Sequence, residues 1–172
     1  MEFYELIRYR KSIRNYDPDK TVAEDVLHRI LEAGRLAPSA ANRQPWKFLL
    51  ISSAEMLDKV RMCYKGEWFR QAPHILVVTG NRDDAWTRKY DGYNSIETDL
   101  TIAMDHLILA AANEGVGSCW IAAFDPLLLR EALGLKENDE VFAITPLGYP
   151  EDSYQSGHAK NRKAISEIVE YL

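Results

Sequence analysis

A dense cationic segment, residues 10–14 with the sequence RKSIR, carries the side chains best suited to binding an anion. It holds three cations and one hydroxyl: Arg10, Lys11, Arg14 and Ser12. The protein as a whole is acidic, with 21 Lys and Arg against 26 Asp and Glu, and clustered cations repel one another unless an anion lies among them. Because guanidinium groups bind phosphate oxygens in pairs, the segment predicts a phosphate site; the alternative is a solvated surface.

A second cationic cluster, Lys160, Arg162 and Lys163, lies near the end of the chain. If folding brings the two clusters together, they form a pocket suited to one phosphate group. Both clusters are too short to follow a polyphosphate backbone, and the acidic balance argues against a general nucleic-acid-binding protein. We therefore expect a single phosphate group and no nucleic acid as the ligand of these cations.

A second distinctive segment, residues 37–46 with the sequence APSAANRQPW, joins a predicted helix to a predicted strand. Its small residues permit close backbone approach, while Asn42 and Gln44 each offer a hydrogen-bond donor and an acceptor. This combination suits a planar ligand with hydrogen-bonding edges, such as a flavin ring. The alternative is a rigid loop that places Trp46 in the core.

Length and composition predict one globular domain, residues 1–172, since 47% of the residues are hydrophobic and can form a core. No apolar run approaches the roughly 20 residues that cross a bilayer, and the N-terminus lacks the pattern of a signal peptide. Cys63 and Cys119 form neither a metal spacing nor a disulfide framework, and the four histidines are scattered. We expect a cytoplasmic protein with reduced thiols, no metal and no membrane association.

Sequence motifs for several common enzyme classes are missing. There is no GxGxxG after a strand and no GxxxxGK[ST], which argues against a Rossmann dinucleotide site and a P-loop. There is also no GxSxG nucleophile elbow, and no carboxylate pair stands out from the many acids. If the protein is an enzyme, we expect a bound cofactor to supply the difficult chemistry.

The pattern of helix and strand signals predicts a mixed domain. Capping boxes at Thr21 with Glu24 and at Ser52 with Glu55 mark two helix starts. An N-cap and proline at residues 125–126 mark a third helix, which ends near residue 134. Apolar runs at residues 46–51, 74–79 and 141–147 predict strands. Together these signals indicate a three-layer α/β or α+β domain with four or five strands.

Two longer stretches complete this prediction. Residues 95–113 read as a long alanine-rich helix that is apolar on several sides, and such a helix is buried on several sides. It lies either between the sheet and a second subunit or in the centre of a monomer. The polar, aromatic stretch 81–94 is expected to be a loop or a mobile helix.

Four segments in the right order along the chain, taken together, resemble the nitroreductase family of FMN-dependent oxidoreductases. They are residues 10–14 (RKSIR), 38–46 (PSAANRQPW), 115–124 (GVGSCWIAAF) and 160–162 (KNR). The resemblance covers nearly the whole chain. It implies a three-layer, nitroreductase-like α+β fold with a central mixed or antiparallel sheet flanked by helices. It also implies an intertwined homodimer with two FMN sites at its interface, in which C-terminal segments reach over the partner.

The resemblance further implies roles for individual residues at the FMN phosphate. Arg10 and Ser12 match positions that hold the phosphate and the ribityl chain, with Lys11 beside them. Lys160 and Arg162 match the C-terminal cations that close on the same phosphate. These five residues are the expected anchor of the cofactor.

The resemblance implies a second set of residues around the flavin ring. Arg14 matches a basic residue near the pyrimidine edge, where a cation stabilises the reduced flavin and raises its reduction potential. Ala122 and Ala123 match positions whose backbone amides face flavin O4 and N5, although the second is often glycine. A loop that covers the flavin from the other subunit corresponds to Pro38, Ser39, Ala40 and Asn42.

One position of the family pattern finds no match in this chain. Residues 64–68 give no clear equivalent of the polar flavin ligand that many relatives carry there, so no site residue is assigned to them. The chain is also short for the family. Most of the wall of the substrate site is therefore expected from residues 81–94, with their aromatic side chains.

The implied activity is electron transfer in a ping-pong cycle. NAD(P)H reduces the flavin at N5, and a small acceptor such as a nitroaromatic or a quinone then reoxidises it, with proximity and stacking doing most of the work. Two alternatives stay open: a flavin enzyme of the same fold that acts on another substrate, as a dehalogenase or a flavin-consuming oxygenase does, and an FMN-binding redox sensor or flavin store without turnover.

Overall fold

One four-stranded sheet organises the chain, of which the computed structural model describes residues 1–154 and 160–172. All neighbouring strands are antiparallel, and their order is β1-β2-β4-β3. The strand bounds are β1 Trp46–Ile51, β2 His74–Asn81, β3 Gly117–Ser118 and β4 Asp139–Gly148. The predicted α+β class is confirmed, as are the predicted strands at residues 46–51, 74–79 and 141–147.

Helices flank this sheet on both faces. In the described residues they are α1 Phe3–Tyr9, α2 Glu24–Arg35, α3 Ala54–Val60, α4 Glu67–Gln71, α5 Ile96–Asn113 and α6 Pro126–Leu133, with 3-10 turns at Ala40–Asn42, Arg61–Cys63 and Ile165–Glu167. The long helix predicted at residues 95–113 is confirmed as α5. The stretch 81–94 forms a loop in which Thr87 and Asn94 make an isolated bridge. Within the described part of the chain, no helix is both long and apolar enough to cross a membrane.

Two hydrophobic cores lie on opposite faces of the sheet, because successive side chains of a strand point to opposite sides. Trp46, Phe48 and Leu50 of β1 pack into the core shared with α2 and α5. Leu49 and Ile51 pack into the core shared with α3 and α6. The central strand β2 is buried on both faces and contributes to both cores. The sheet is therefore the middle of three layers, as predicted.

Helix α5 is the main support of the first core. Leu100 and Met104 are fully buried, and α2 approaches α5 so closely that a Cβ on Gly34 would lie 2.7 Å from Leu107 Cγ. The approach explains why the sequence places a glycine there. Ile102 and Leu109 stay half-buried in the single chain, so part of the apolar surface of α5 is left open to a further partner.

The predicted capping box at Thr21 is wrong. Helix α2 begins at Glu24, its N-cap is Ala23, and no side chain caps its N-terminus. Val22 is buried in the core beside α2 and α5. Its burial fixes the entry of the chain into the helix and leaves Thr21 outside it, so tertiary packing decides the helix start rather than local capping.

The predicted capping box at Ser52 is wrong for a different reason. The hydroxyl of Ser52 lies 2.7 Å from His74 Nδ1 on the neighbouring strand β2. With this hydroxyl engaged across the sheet, α3 begins at Ala54 after Ser53 and lacks a side-chain cap. The bond joins residues 22 positions apart, which a local motif does not reveal.

Candidate functional site

The cationic segment, residues 10–14, joins the sheet edge at β3. The N–H of Ile13 donates to the carbonyl of Ser118 at 2.9 Å, and Ser12 forms an isolated parallel bridge with Ser118. Arg10, Lys11 and Ile13 line a cavity of about 200 Å³. Because alternate residues of an extended segment point the same way, Ser12 and Arg14 belong to the opposite side of the segment.

A strap formed by residues 149–154 runs beside the cationic segment after β4 ends. The N–H of Asp17 donates to the carbonyl of Tyr149 at 2.9 Å. Tyr154 makes two links: its hydroxyl accepts the N–H of Arg14 at 3.3 Å and donates to the carbonyl of Ser12 at 3.3 Å. The strap therefore guides the C-terminal part of the chain toward the cationic segment.

The second cationic cluster lies against the first. Lys160 Nζ donates to the carbonyl of Ile7 at 2.5 Å, near the C-terminal end of α1, where a helix favours positive charge. Partial burial lowers the pKa of Lys160, and repulsion from Arg10 and Arg162 lowers it further. The structure thus brings Arg10, Lys160 and Arg162 together at one place.

These cations have no acidic partners in the part of the chain that the structure describes. Nine ion pairs occur among the described residues, and none of them includes Arg10, Lys11, Arg14, Lys160 or Arg162. Acids outnumber bases in this chain, so unpaired cations in one cluster are unexpected for an ordinary surface. The arrangement fits a bound anion that supplies the missing negative charge.

The loop that enters β1, residues 38–44, has an unusual backbone. Ala41, Asn42 and Gln44 have φ values of 49°, 54° and 50°. Residues other than glycine rarely adopt this left-handed region, and several together persist only when the surroundings hold them. We call this segment the entry loop.

Two backbone N–H groups of the entry loop donate to side chains. The N–H of Ala40 donates to Asp99 Oδ1 at 2.8 Å, at the start of α5. The N–H of Gln44 donates to Ser39 Oγ at 2.9 Å. Just after the loop, the carbonyl of Pro45 lies so close to β2 that a Cβ on Gly80 would clash with it. The loop is therefore fixed at its start, across its middle and at its exit.

Ala122 and Ala123 are exposed and follow Ile121, which bridges to Ile144 of β4. Ala123 and residues 64–66 line the same cavity of about 390 Å³. The N–H of Asp125 donates to the carbonyl of Cys63 at 2.7 Å and ties the two segments together. Residues 64–68, for which the sequence offers no flavin ligand, thus begin beside one of the two predicted amide positions.

The entry loop and the cationic segment do not meet within one chain. The loop leads into β1, whereas the segment pairs with the outer side of β3 at the opposite edge of the sheet, so four strand spacings, about 19 Å, separate them. Along α5, the loop contacts Asp99, whereas Ala112 lines the cavity of the cationic segment. These positions are about 20 Å apart along a helix. A ligand shorter than this separation cannot contact both regions of one chain.

Both cysteines are buried thiols. Burial raises the pKa of Cys63 to about 11, with Asp125 adding to the effect. Burial also raises the pKa of Cys119, against the opposing influence of Arg14 and Ser12. Thiols with raised pKa values stay protonated at neutral pH and are poor nucleophiles.

Sequence reasoning missed two residues that organise this region, Tyr154 and Asp99. The hydroxyl of Tyr154 accepts the N–H of Arg14, which lies 140 positions away in the chain. No local pattern distinguishes Tyr154 from other tyrosines. Asp99 carries a weak signal, since it is an acid within the apolar surface of α5. That signal becomes interpretable only when the loop it binds is known.

Comparison with known proteins identifies the family of this chain. The profile of the nitroreductase family matches residues 7–63 and 54–149. A relative from Archaeoglobus fulgidus, provisionally named an NADH dehydrogenase/NAD(P)H nitroreductase, is 35% identical over 94% of this chain and 92% of its own length. A solved structure from Desulfovibrio desulfuricans, provisionally named a nitroreductase in complex with FMN, is 27% identical, with a TM-score of 0.83 over 98% of this chain and 95% of that one.

A relative named for a different activity is also similar to this chain. The iodotyrosine deiodinase of Thermotoga neapolitana is 23% identical over 87% of this chain and 89% of its own length. The match of the family profile over most of the chain, together with the relative at 35% identity, establishes the assignment. This chain belongs to the nitroreductase family.

Proposed function

We propose that this member of the nitroreductase family, an FMN-dependent NAD(P)H oxidoreductase, anchors its flavin on the two cationic clusters and passes electrons to a small acceptor. The acceptor class that we propose is the nitroaromatics and quinones, in a ping-pong cycle. The observation that carries the proposal is the convergence of Arg10, Lys160 and Arg162 without acidic partners among the described residues.

The residues present fit the phosphate end of FMN. Guanidinium groups of Arg10 and Arg162 offer paired donors, and Lys160 adds a third cation. Ser12 adds a hydroxyl, and its position is fixed by the bridge to Ser118 and by Tyr154. Lys11 lines the same cavity as Arg10, where it adds positive charge to the site. A phosphate at this place would relieve the repulsion that lowers the pKa of Lys160.

Bound FMN would accept hydride from NAD(P)H and deliver the electrons to the acceptor. The chain tunes this chemistry through charge. Arg14 is exposed and without an acidic partner in the described residues, so its guanidinium is available to a ligand. We assign it to the pyrimidine edge of the flavin, where a fixed cation favours the reduced form. The backbone amides of Ala122 and Ala123 are assigned to flavin O4 and N5.

The separation of the entry loop from the cationic segment supports a homodimer. Pro38, Ser39, Ala40 and Asn42 lie in or beside the loop, at the sheet edge remote from Arg10. We assign them to cover the flavin held by the partner subunit. The C-terminal residues support the same arrangement, because Ile165, Ile168, Tyr171 and Leu172 are exposed in the single chain. Their apolar side chains are expected to pack on the partner.

The acceptor site is assigned to the flavin face beside residues 81–94. Tyr90 is 97% exposed and Tyr93 is 41% exposed, and Arg88 lies over the Tyr93 ring at 5.0 Å. Arg88 also pairs with Asp91, which keeps the loop folded on itself. Aromatic surface of this kind favours stacking on planar acceptors such as nitroaromatics and quinones.

The test is direct binding and reduction. Purified protein is titrated with FMN, and the oxidised complex is mixed with NADH and with NADPH while the flavin absorbance is followed. Fast bleaching by either nucleotide, followed by recovery with a nitroaromatic or quinone, supports the proposal. The variant Arg10→Ala/Arg162→Ala should lose FMN, whereas Arg35→Ala, which removes an exposed arginine paired with Glu32, should not.

A second candidate within the same fold is reductive dehalogenation, which the similarity to the iodotyrosine deiodinase of Thermotoga neapolitana favours. An acceptor panel that adds iodotyrosine to the nitroaromatics and quinones separates the two activities. An FMN complex that no nucleotide bleaches would instead identify a flavin store or a redox sensor.

A further inference from the structure

Asp99 is a buried acid at the start of α5. Asp99 is 1% exposed, and no ion pair in the described part of the chain includes it. Oδ1 accepts the N–H of Ala40 at 2.8 Å, and Oδ2 accepts the hydroxyl of Ser95 at 2.7 Å. One carboxylate oxygen therefore serves the entry loop and the other serves the start of α5.

A buried carboxylate without a cation is unfavourable unless hydrogen bonds satisfy its oxygens. The N-terminal turn of α5 offsets part of this cost. Ile96 and Leu100, the neighbours of Asp99 along α5, are fully buried apolar residues, so an apolar side chain would suit the packing. The hydrogen bond that Asp99 accepts from the N–H of Ala40 explains why an acid, and not an apolar residue, stands at this position.

The entry loop needs such a bond. Ala40 immediately precedes Ala41 and Asn42, two of the three left-handed residues. Left-handed backbone at residues other than glycine relaxes unless its surroundings hold it. The Ser39–Gln44 bond closes the loop on itself, whereas the bond to Asp99 is the one hydrogen bond among the described residues that joins the strained part to a helix of the core.

We propose that Asp99 is a positioning residue that holds the entry loop, through the N–H of Ala40, in the shape that covers the flavin bound at the partner subunit's cationic site. The inference rests on the proposed function. Asp99 itself contacts neither flavin nor acceptor in this assignment. It acts through the backbone of a loop that lies at the opposite sheet edge from its own subunit's cations.

The first test measures the loop without any flavin. Hydrogen exchange of the peptide that covers residues 38–46 is compared in the apo protein and in variants at Asp99. Asp99→Ala should accelerate exchange of this peptide, and so should Asp99→Leu, which keeps the interior filled if the alanine variant folds poorly. Asp99→Asn keeps an acceptor for Ala40 and a donor for Ser95, so it should restore protection. Ser95→Ala removes only the other bond and is the matched control.

The second test measures FMN affinity in the same set. Loss of the anchor should weaken FMN binding about tenfold in Asp99→Ala and Asp99→Leu, the effect of one lost hydrogen bond to a charged group. Asp99→Asn and Ser95→Ala should remain within about threefold of the wild type. The visible circular dichroism of the bound flavin should change only in the first two variants, because the covering backbone then no longer has one fixed shape.

The third test asks which subunit's loop is used. Asp99→Ala is mixed and refolded with Arg10→Ala/Arg162→Ala, at an FMN concentration where neither variant alone retains flavin. If the loop acts on the partner, each heterodimer gains one site with intact cations and an intact loop. Random reassortment then restores binding at about one quarter of all sites. If the loop acts within its own chain, mixing restores nothing.

The outcomes separate this inference from the proposed function. Wild-type protein that binds no FMN overturns both. Wild-type protein that binds FMN while Asp99→Ala and Asp99→Leu bind it equally well, with unchanged exchange of residues 38–46, overturns the role of Asp99 alone. Faster exchange and weaker binding, rescued by Asp99→Asn and complemented by mixing, support it. Loss of binding without complementation overturns the assignment to the partner's site.

Discussion

The cationic cluster and the entry loop are built on opposite principles. The cluster gathers Arg10, Lys160 and Arg162 from the two ends of the chain, and its charges remain unbalanced among the described residues. The entry loop contains a strained backbone fixed by a buried acid. The first region attracts a ligand by charge, which acts on any suitable anion. The second region has a backbone of fixed conformation, which affects only a ligand that is already bound.

This difference predicts how the two regions respond to perturbation. Removing charge from the cluster should change affinity for the phosphate end of a ligand, with little effect on backbone order. Loosening the loop should change order and fit, with a smaller effect on affinity. The predictions that follow test this division from the largest expected effect to the smallest.

The largest effect is expected from Arg10→Ala/Arg162→Ala. Two charge-assisted contacts to one phosphate are lost, so FMN affinity should fall by at least about 100-fold. Exchange of the entry-loop peptide in the apo protein should remain unchanged. Fluorescence quenching on FMN titration measures the affinity, with Arg35→Ala as the control. Equal FMN affinity in the double variant and the control would refute the role of the cluster.

The next effect concerns the electronics of the flavin. Arg14→Ala should lower the two-electron reduction potential by about 30 mV, which corresponds to a tenfold change in the equilibrium, because a cation near the ring no longer stabilises its reduced form. Most FMN should stay bound, since the phosphate cations are intact. Spectroelectrochemical titration measures the potential, and an unchanged value would remove Arg14 from the site.

A smaller effect on FMN affinity is expected from a change in pH, and it should arise at the cationic cluster. Burial and the neighbouring arginines lower the pKa of Lys160 below its ordinary value. Only the protonated amine attracts phosphate, so FMN affinity should fall as the pH rises through this lowered pKa. Lys160→Ala should abolish this part of the pH dependence, and Lys160→Arg should shift it upward. An identical pH profile in all three proteins would separate Lys160 from the phosphate.

The smallest effect is expected in the entry loop. Gln44 has a φ of 50°, so Gln44→Gly relieves strain, which should leave the free energy of unfolding unchanged or raise it by up to about 1 kcal/mol. Arg43 has a φ of −70°, so Arg43→Gly in the same loop should lower it by about 0.5–1 kcal/mol. Denaturant unfolding of both apo variants measures the contrast. Equal losses would show that the left-handed backbone is not strained.

Local signals predicted a large part of the fold. The strands β1, β2 and β4 and the helix α5 follow from apolar runs and periodicity alone. The start of α6 was also predicted, because the Asp125 side chain accepts the N–H groups of Leu127 and Leu128 within one turn. The helix ends at Leu133 and is followed by its C-cap, Gly134, whose φ of 60° suits glycine.

Features that depend on residues far away in the chain could not be predicted from local sequence. Thr21 and Ser52 carry good capping motifs, yet burial of Val22 and the bond from Ser52 to His74 decide both helix starts. At the site, the cationic residues are evident from their charge. Tyr154 and Asp99 act through hydrogen bonds to backbone groups 140 and 59 positions away, and a single sequence does not encode those pairings in any visible pattern.

The most direct measurement compares the affinity of the wild-type protein for FMN with its affinity for riboflavin, which has the same ring but no phosphate. If the two cationic clusters converge on the phosphate, FMN binds at least about 100-fold more tightly than riboflavin. Equal affinities for the two flavins would contradict the central claim, because the unpaired cations would then take no part in holding the cofactor.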